Sequence, residues 1–288
     1  VTMIRYGMAQ WQHPAWVDYL YPRSEATGAR LGHYAKFFSS VEVGSTFYTD
    51  VAPEQIERWA SQVHDDFRFS FKVPRTISHQ FAELSEAECQ QAWQAFQALL
   101  KPIEHLLGPT MLQFPATVEP RHLPIISKLC QNWQLKAPLS VEVRSLDFFD
   151  KGEHEGAFLR MLSNTECDKV VMDSRPVFST EAYCESLIDA QRKKPRVPCH
   201  AVATAMHPVV RFIGHPELER NHSWLDQWAA KLVQWLQEGR APTVFVHSSD
   251  NIAAPTLAAW LDEKLQQQMP EYVPQVHLPV QHEQIGLL

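Results

Sequence analysis

Phe67-Arg68-Phe69-Ser70-Phe71-Lys72-Val73 places an aromatic or aliphatic residue at every second position, so Ser70 and Lys72 fall together on the other face. Side chains alternate across a strand with period two, and this stretch therefore reads as β-structure with one apolar and one polar face. The same phase recurs along the chain. Glu42 lies between Val41 and Val43, Glu142 and Arg144 alternate with Val141 and Val143, and Gln113 lies between Leu112 and Phe114. Arg211 is flanked by Val210 and Phe212, His247 follows Val246, and Asp173 follows Met172.

Working outward, the candidate strands are 4–10, 40–44, 68–73, 110–114, 139–144, 169–173, 209–213 and 243–247. Helical spacing fills the gaps, over 24–38, 53–63, 85–100, 120–133, 155–163, 180–192, 224–237 and 255–269. Pro53 stands at a first helical position, and Ser85 with Glu88 three residues later forms a capping-box pattern. Strict alternation of strand and helix implies right-handed crossovers and a parallel sheet. No GxGxxG turn follows the first strand to support an open doubly wound sheet. The expected fold is α/β, a single (β/α)8 TIM-type barrel. It occupies 1–288 as one domain, with the last helix and tail at about 255–288.

Composition agrees with an ordinary globular chain: 288 residues, 45% hydrophobic and 20% charged. The five cysteines are odd in number and form no CxxC pair, which fits reduced thiols. No stretch approaches the roughly 20 apolar residues of a membrane span. The first residues lack the basic-then-apolar layout of a secretory signal, so a cytoplasmic location and no membrane association are expected. A net charge of −7 argues against nucleic acid as the principal partner. The basic run Arg192-Lys193-Lys194-Pro195-Arg196 reads as a solvated loop after a helix.

If the apolar face of each strand packs on the helices, the polar face points into the barrel, and active sites of barrels lie at its C-terminal end. The inward set is expected to contain Glu42, Lys72, Glu142, Arg144, Asp173 and Arg211, with Arg75, Arg175 and Asp250 just beyond strand ends. Barrel interiors are usually filled by branched aliphatics, and buried charges are costly unless paired or in contact with ligand. Five cations (Lys72 and the four arginines) face four carboxylates. In an acidic chain, such a set suits a small anionic ligand bearing phosphate or carboxylate, sugar-like ligands included. Glu42, Lys72, Glu142 and Asp173 are the catalytic candidates. Trp11, Tyr48, Arg75, Gln113, Arg144, Arg211 and His247 are the ligand-binding candidates, with Trp11 and Tyr48 as an apolar wall.

Several chemistries remain open on these residues. Glu42 and Glu142 form a carboxylate pair of the kind glycoside hydrolases use, although neighbouring Lys72 and Arg144 would lower their pKa values. Glu42, Glu142, Asp173 and His247 offer oxygen and nitrogen donors for a divalent metal, as in a phosphodiesterase or sugar isomerase. No HExxH or His-x-His spacing supports a metal site. Nucleophilic catalysis finds no GxSxG elbow. A non-enzymatic binding barrel would use the same cations with its carboxylates locked to arginines.

Longer segments carry a resemblance. Gly7-Met8-Ala9-Gln10-Trp11, Glu42-Val43-Gly44-Ser45-Thr46-Phe47-Tyr48 and Phe71-Lys72-Val73-Pro74-Arg75 resemble the YecE-like family, also called the domain-of-unknown-function 72 family. Met172-Asp173-Ser174-Arg175-Pro176 and His247-Ser248-Ser249-Asp250-Asn251 extend the likeness over nearly the whole chain. The family's first motif is Gly-x-Ser-Gly-Trp, whereas Ala9 and Gln10 stand here in place of Ser and Gly. The resemblance implies a (β/α)8 barrel and brings no reaction with it.

Overall fold

Phe67, Phe69 and Phe71 are all fully buried in the computed structural model, which describes residues 3–279. Their rings follow one another at centroid distances of 5.1 and 5.8 Å, forming an aromatic seam on the outer face of one strand. The strands are β1 (Arg5–Met8), β2 (Ser40–Val43), β3 (Arg68–Phe71), β4 (Thr110–Gln113), β5 (Leu139–Glu142), β6 (Asp168–Asp173), β7 (Val209–Gly214) and β8 (Thr243–Ser248). All paired strands run parallel, in the order β3-β2-β1-β8-β7-β6-β5-β4. The ring closes between β3 and β4. There the Gly108 N–H donates to Phe69 O at 2.8 Å, and the Val73 N–H donates to Met111 O at 3.0 Å. The chain is a (β/α)8 barrel, as its alternation predicts.

Between the strands lie α1 (Arg30–Tyr34), α2 (Ser45–Tyr48), α3 (Pro53–Ala60), α4 (Arg75–Ser78), α5 (Glu86–Leu100), α6 (Leu123–Gln131), α7 (Glu153–Asn164), α8 (Glu185–Lys193), α9 (His222–Gln237) and α10 (Ala254–Gln268). The capping box is present at the start of α5: Ser85 Oγ accepts the Glu88 N–H, and Glu88 Oε2 accepts the Ser85 N–H at 2.8 Å. The helix expected over 24–38 is shorter, a 3₁₀ turn over Thr27–Ala29 leading into α1. Gly28 and Gly32 fall within that stretch, where glycine weakens helix propagation. Likewise α8 begins only at Glu185, five residues later than the spacing suggests. The part of the expected tail at 280–288 lies outside the described residues.

Strand parity sorts the core into two regions. Val41, Val43, Phe69, Phe71, Leu112, Val141, Val171, Val210, Phe212, Val244 and Val246 belong to the cluster shared with the helices. Met111, Val170, Val209 and Phe245 form a separate cluster of opposite parity, which fills the barrel interior. Continuing that inward phase toward the C-terminal strand ends brings Glu42, Lys72, Gln113, Glu142, Arg211 and His247 to the barrel mouth.

Candidate functional site

Arg211 sits at the centre of this layer. From β7 its Nη2 donates to Glu42 Oε1 at 2.8 Å and its Nε to Glu42 Oε2 at 3.0 Å. Its Nη1 donates to Glu142 Oε2 at 2.7 Å and lies 3.4 Å from Gln113 Oε1. One guanidinium thus bridges β2, β4 and β5, an arrangement its planar fork of donors permits and a lysine ammonium would not. The Lys72 ammonium, just past β3, meets Glu42 Oε1 at 2.8 Å, and Arg144 Nε donates to Glu142 Oε1 at 2.9 Å. His247 on β8 completes the layer with Nε2 at 3.3 Å from Glu42 Oε2.

The electrostatics follow from burial set against neighbouring charge. Burial works to raise the pKa of Glu42, but Arg211, Lys72 and His247 outweigh it and hold the carboxyl well below its usual range. Glu142 is likewise raised by burial and lowered more strongly by Arg211, Arg144 and Lys72, reaching about 2. Burial pushes His247 down to about 4, with Glu42 only partly offsetting it, so the imidazole is neutral at pH 7. Because ionised Glu42 can only accept, the His247 proton lies on Nε2 and Nδ1 keeps its lone pair. That Nδ1 is buried and has no hydrogen-bond partner.

Solvent reaches this layer through its cations. The side chains of Glu42, Glu142, Arg211 and His247 are 2–4% exposed, against 14% for Lys72 and 23% for Arg144. Arg144 engages Glu142 through Nε alone, and neither of its Nη groups bonds to a described residue. His79, at the end of α4, faces the same region. Burial, Arg144 and Arg75 lower it to about 4, and its ring meets Phe47 edge-on at 5.0 Å. Arg75 is exposed beside it.

Other expected residues fall elsewhere. Asp173 corrects the expectation of an inward carboxylate. It accepts the Trp228 indole N–H of α9 at 2.7 Å and a two-point contact from Arg175 at 2.8 Å each, so it faces the helix layer. Parity explains this, since Val170 and Met172 take the inward positions of β6 and leave Asp173 outward. Arg175 in turn stacks over the Trp224 ring at 4.7 Å. Trp11, in the loop after β1, packs edge-on against Trp59 of α3 at 5.2 Å. Tyr48 is 72% exposed, with its ring edge-on against Phe47 at 4.9 Å. Asp250 accepts the Ile252 N–H in the loop after β8.

The residue that sequence reading missed is Lys194. Of the basic run, Arg192 and Lys193 both pair with Asp189 at 2.7 Å, and Arg196 lies over the Phe178 ring. Lys194 shares neither partner and is partly buried, close enough for its charge to feel Arg211, Glu42, Lys72 and Arg144. Leu187 and Ala190 are buried on one face of α8, and Lys194, the residue after the helix ends, stands four positions beyond Ala190.

Among the described residues the donors at the mouth do not fit a divalent metal. Among the described residues no group of three or more His, Cys, Asp or Glu converges in a way that could hold one. The Arg211 guanidinium occupies the space between the two carboxylates that a cation would need.

A family model described as "Protein of unknown function DUF72" matches residues 5–282. The chain is 40% identical to the UPF0759 protein YecE of Escherichia coli (strain K12) over 269 residues, covering 93% of this chain and 95% of that one. It is 24% identical to the UPF0759 protein YunF of Bacillus subtilis (strain 168) over 157 residues, 53% of this chain and 55% of that one. Among solved structures it resembles a DUF72 family protein from Thermotoga maritima MSB8, with a TM-score of 0.67 and 20% identity over 93% of this chain and all of that one. A DUF72 family protein from Enterococcus faecalis V583 gives 0.68 and 18% over 98% of this chain and all of that one. These two likenesses concern the fold.

Proposed function

The chain belongs to the DUF72 family, and on that footing we propose that it is a small-anion-binding barrel whose site is the C-terminal mouth around Lys72, Arg144 and Arg211. The observation that carries this reading is the saturation of both mouth carboxylates by cations, with cationic groups left over. Glu42 and Glu142 are each held by two cations, and the Arg144 Nη groups still point to space that water reaches. The ligand bears a phosphate or carboxylate group, which a guanidinium edge recognises through paired N–H donors.

The same locking favours binding over acid–base hydrolysis. A glycosidase acid must be protonated near neutral pH, whereas Glu142 is held at about 2 and Glu42 well below its ordinary value. We place the protein in the cytoplasm, which suits its five unpaired thiols. No helix among the described residues is long and apolar enough to cross a membrane.

Calorimetric titration with inorganic phosphate and with acetate tests the site. Wild type should bind at least one of them, and Lys72→Met or Arg144→Gln should weaken that binding about tenfold or more, the value of one charged hydrogen bond. Equal binding by all three proteins would refute the assignment.

A further inference from the structure

The segment that carries Lys194 differs from the other strand–helix connections in where it packs. Leu187 and Ala190 of α8 cluster with Met172 and Ile213, which have the inward parity of β6 and β7, and with Val177 and Val197. This cluster is separate from the one beneath the outer helices. The helix therefore lies over the barrel opening. Its start is joined to the loop after β8, where Ser249 Oγ donates to Ser186 Oγ at 3.0 Å. Gln191 Nε2 donates to both Val177 O and Thr180 O at 2.9 Å.

Beyond its C-terminus the backbone is pinned on both sides of the lysine. The Lys194 N–H donates to Ala190 O at 2.8 Å, and Ser174 Oγ donates to Pro195 O at 2.7 Å. Pro195 also restricts the residue before it to extended backbone, which ends the helix and turns Lys194 away from its axis. Its φ of −86° and ψ of 141° fit that restriction.

Lys194 thus brings an ammonium to the mouth on a fixed backbone, yet that ammonium makes no hydrogen bond or ion pair with a described residue. Arg211, Lys72 and Arg144 all repel it, and Glu42, which attracts it, already faces Arg211, Lys72 and His247. Burial and those cations lower it to about 8, so at pH 7 it still carries its charge. A partly buried cation held among three others is costly unless an anion completes the site.

From this arrangement we infer that Lys194 is the fourth cation of the clamp and that it selects a dianionic oxyanion, a phosphate monoester in chemical class, over a monoanion. The inference rests on the proposed anion site and deepens it. Among the described residues, Lys72, Arg144, Lys194 and Arg211 are balanced by Glu42 and Glu142, a formal surplus of two positive charges with His247 and His79 neutral. A phosphate monoester carries nearly two negative charges at pH 7 and above, its second pKa being about 6. The unpartnered His247 Nδ1 remains an acceptor that such an anion cannot satisfy, and it suits a hydroxyl on the esterified group.

The test is calorimetric titration at pH 7.5 with methyl phosphate and with acetate, on wild type, Lys194→Gln and Lys72→Met. Wild type should prefer methyl phosphate, and Lys194→Gln should bind it about tenfold more weakly while acetate changes less than threefold. If Lys194→Gln matches wild type for both probes while Lys72→Met loses them, the clamp stands and the role of Lys194 is overturned. If wild type binds neither probe, the underlying anion reading falls with it. A second measurement avoids dependence on the folding of a variant: amine acylation of wild type, mapped by peptide mass with and without methyl phosphate. Lys194 should be protected by the ligand while Lys193, which is exposed, should not. Unchanged acylation of Lys194 under saturating ligand would also overturn the inference.

Discussion

Arg211 on β7 grips Glu42 on β2 through two parallel hydrogen bonds, Nη2 to Oε1 at 2.8 Å and Nε to Oε2 at 3.0 Å, across two intervening strands. The contact ties opposite parts of the barrel wall together at the level where ligands meet barrels. It also fixes which protonation states the mouth can adopt.

Removing Arg211 leaves each of two buried carboxylates with a single cation, Glu42 with Lys72 and Glu142 with Arg144. Arg211→Met should destabilise the protein by about 3–5 kcal/mol, the usual cost of breaking a buried ion pair by removing one partner. Adding Glu42→Gln to that variant should recover part of the loss, because the carboxylate that lost its two-point contact is then uncharged. Urea unfolding at pH 7 checks both. A loss under about 1 kcal/mol for the single variant would mean that the pair is solvated.

His247 should shape the acid limb of stability. Its pKa is lowered from about 6.5 in the unfolded chain to about 4 in the fold, where Glu42, Lys194 and Arg211 face it. Between those values the unfolded chain binds the proton and the folded one does not, so stability falls as pH drops from 6.5 toward 4. The slope from one such group is at most about 1.4 kcal/mol per pH unit. In His247→Gln this contribution vanishes, and the stability curve should be flatter across that window. Parallel curves for the two proteins would contradict the assignment.

Gly7 of β1 pairs with Ser40 of β2, and the backbone there leaves no room for a side chain. A Cβ there would lie 2.5 Å from Ser40 O and 2.7 Å from Ser40 C, both backbone atoms that cannot swing aside. Gly7→Ala should therefore cost about 1–3 kcal/mol, as overpacking does. Gly28→Ala, with nothing within 4 Å of the new Cβ, is the matched control and should be nearly neutral. Equal thermal midpoints for the two variants would contradict this close approach.

Asp173 holds the wall rather than the ligand. Asp173→Asn should destabilise by about 1–3 kcal/mol, because an amide N–H₂ would then face Arg175 or the Trp228 indole donor. Anion affinity, measured by titration, should stay within twofold of wild type. A tenfold loss of affinity would return Asp173 to the site.

The difference between Asp173 and Glu42 shows how far the sequence can be read. Val41-Glu42-Val43 alternates cleanly, so its phase is legible, and the same holds for Lys72, Glu142, Arg211 and His247. Lys169-Val170-Val171-Met172-Asp173 runs apolar across both faces, and periodicity there cannot say which way its ends point. In the fold Lys169 and Asp173 share the outward phase, Lys169 lying 3.8 Å from Glu155 of α7. Lys194 was hidden for another reason. Its place depends on α8 lying over the mouth, a tertiary packing choice that charge composition does not encode. Tyr48 reads as an aromatic at a strand end, yet α2 turns it to solvent.

The most direct measurement is the thermal unfolding of wild type with rising inorganic phosphate, against chloride at matched ionic strength. A bound anion at 100 times its dissociation constant stabilises the fold by about 2.7 kcal/mol, enough to raise the midpoint by several degrees. Phosphate should give a saturable rise that chloride does not reproduce and that Lys72→Met abolishes. Identical midpoints in phosphate and chloride at every concentration would contradict an anion site at the mouth, and would leave the Arg211 layer as a structural plug.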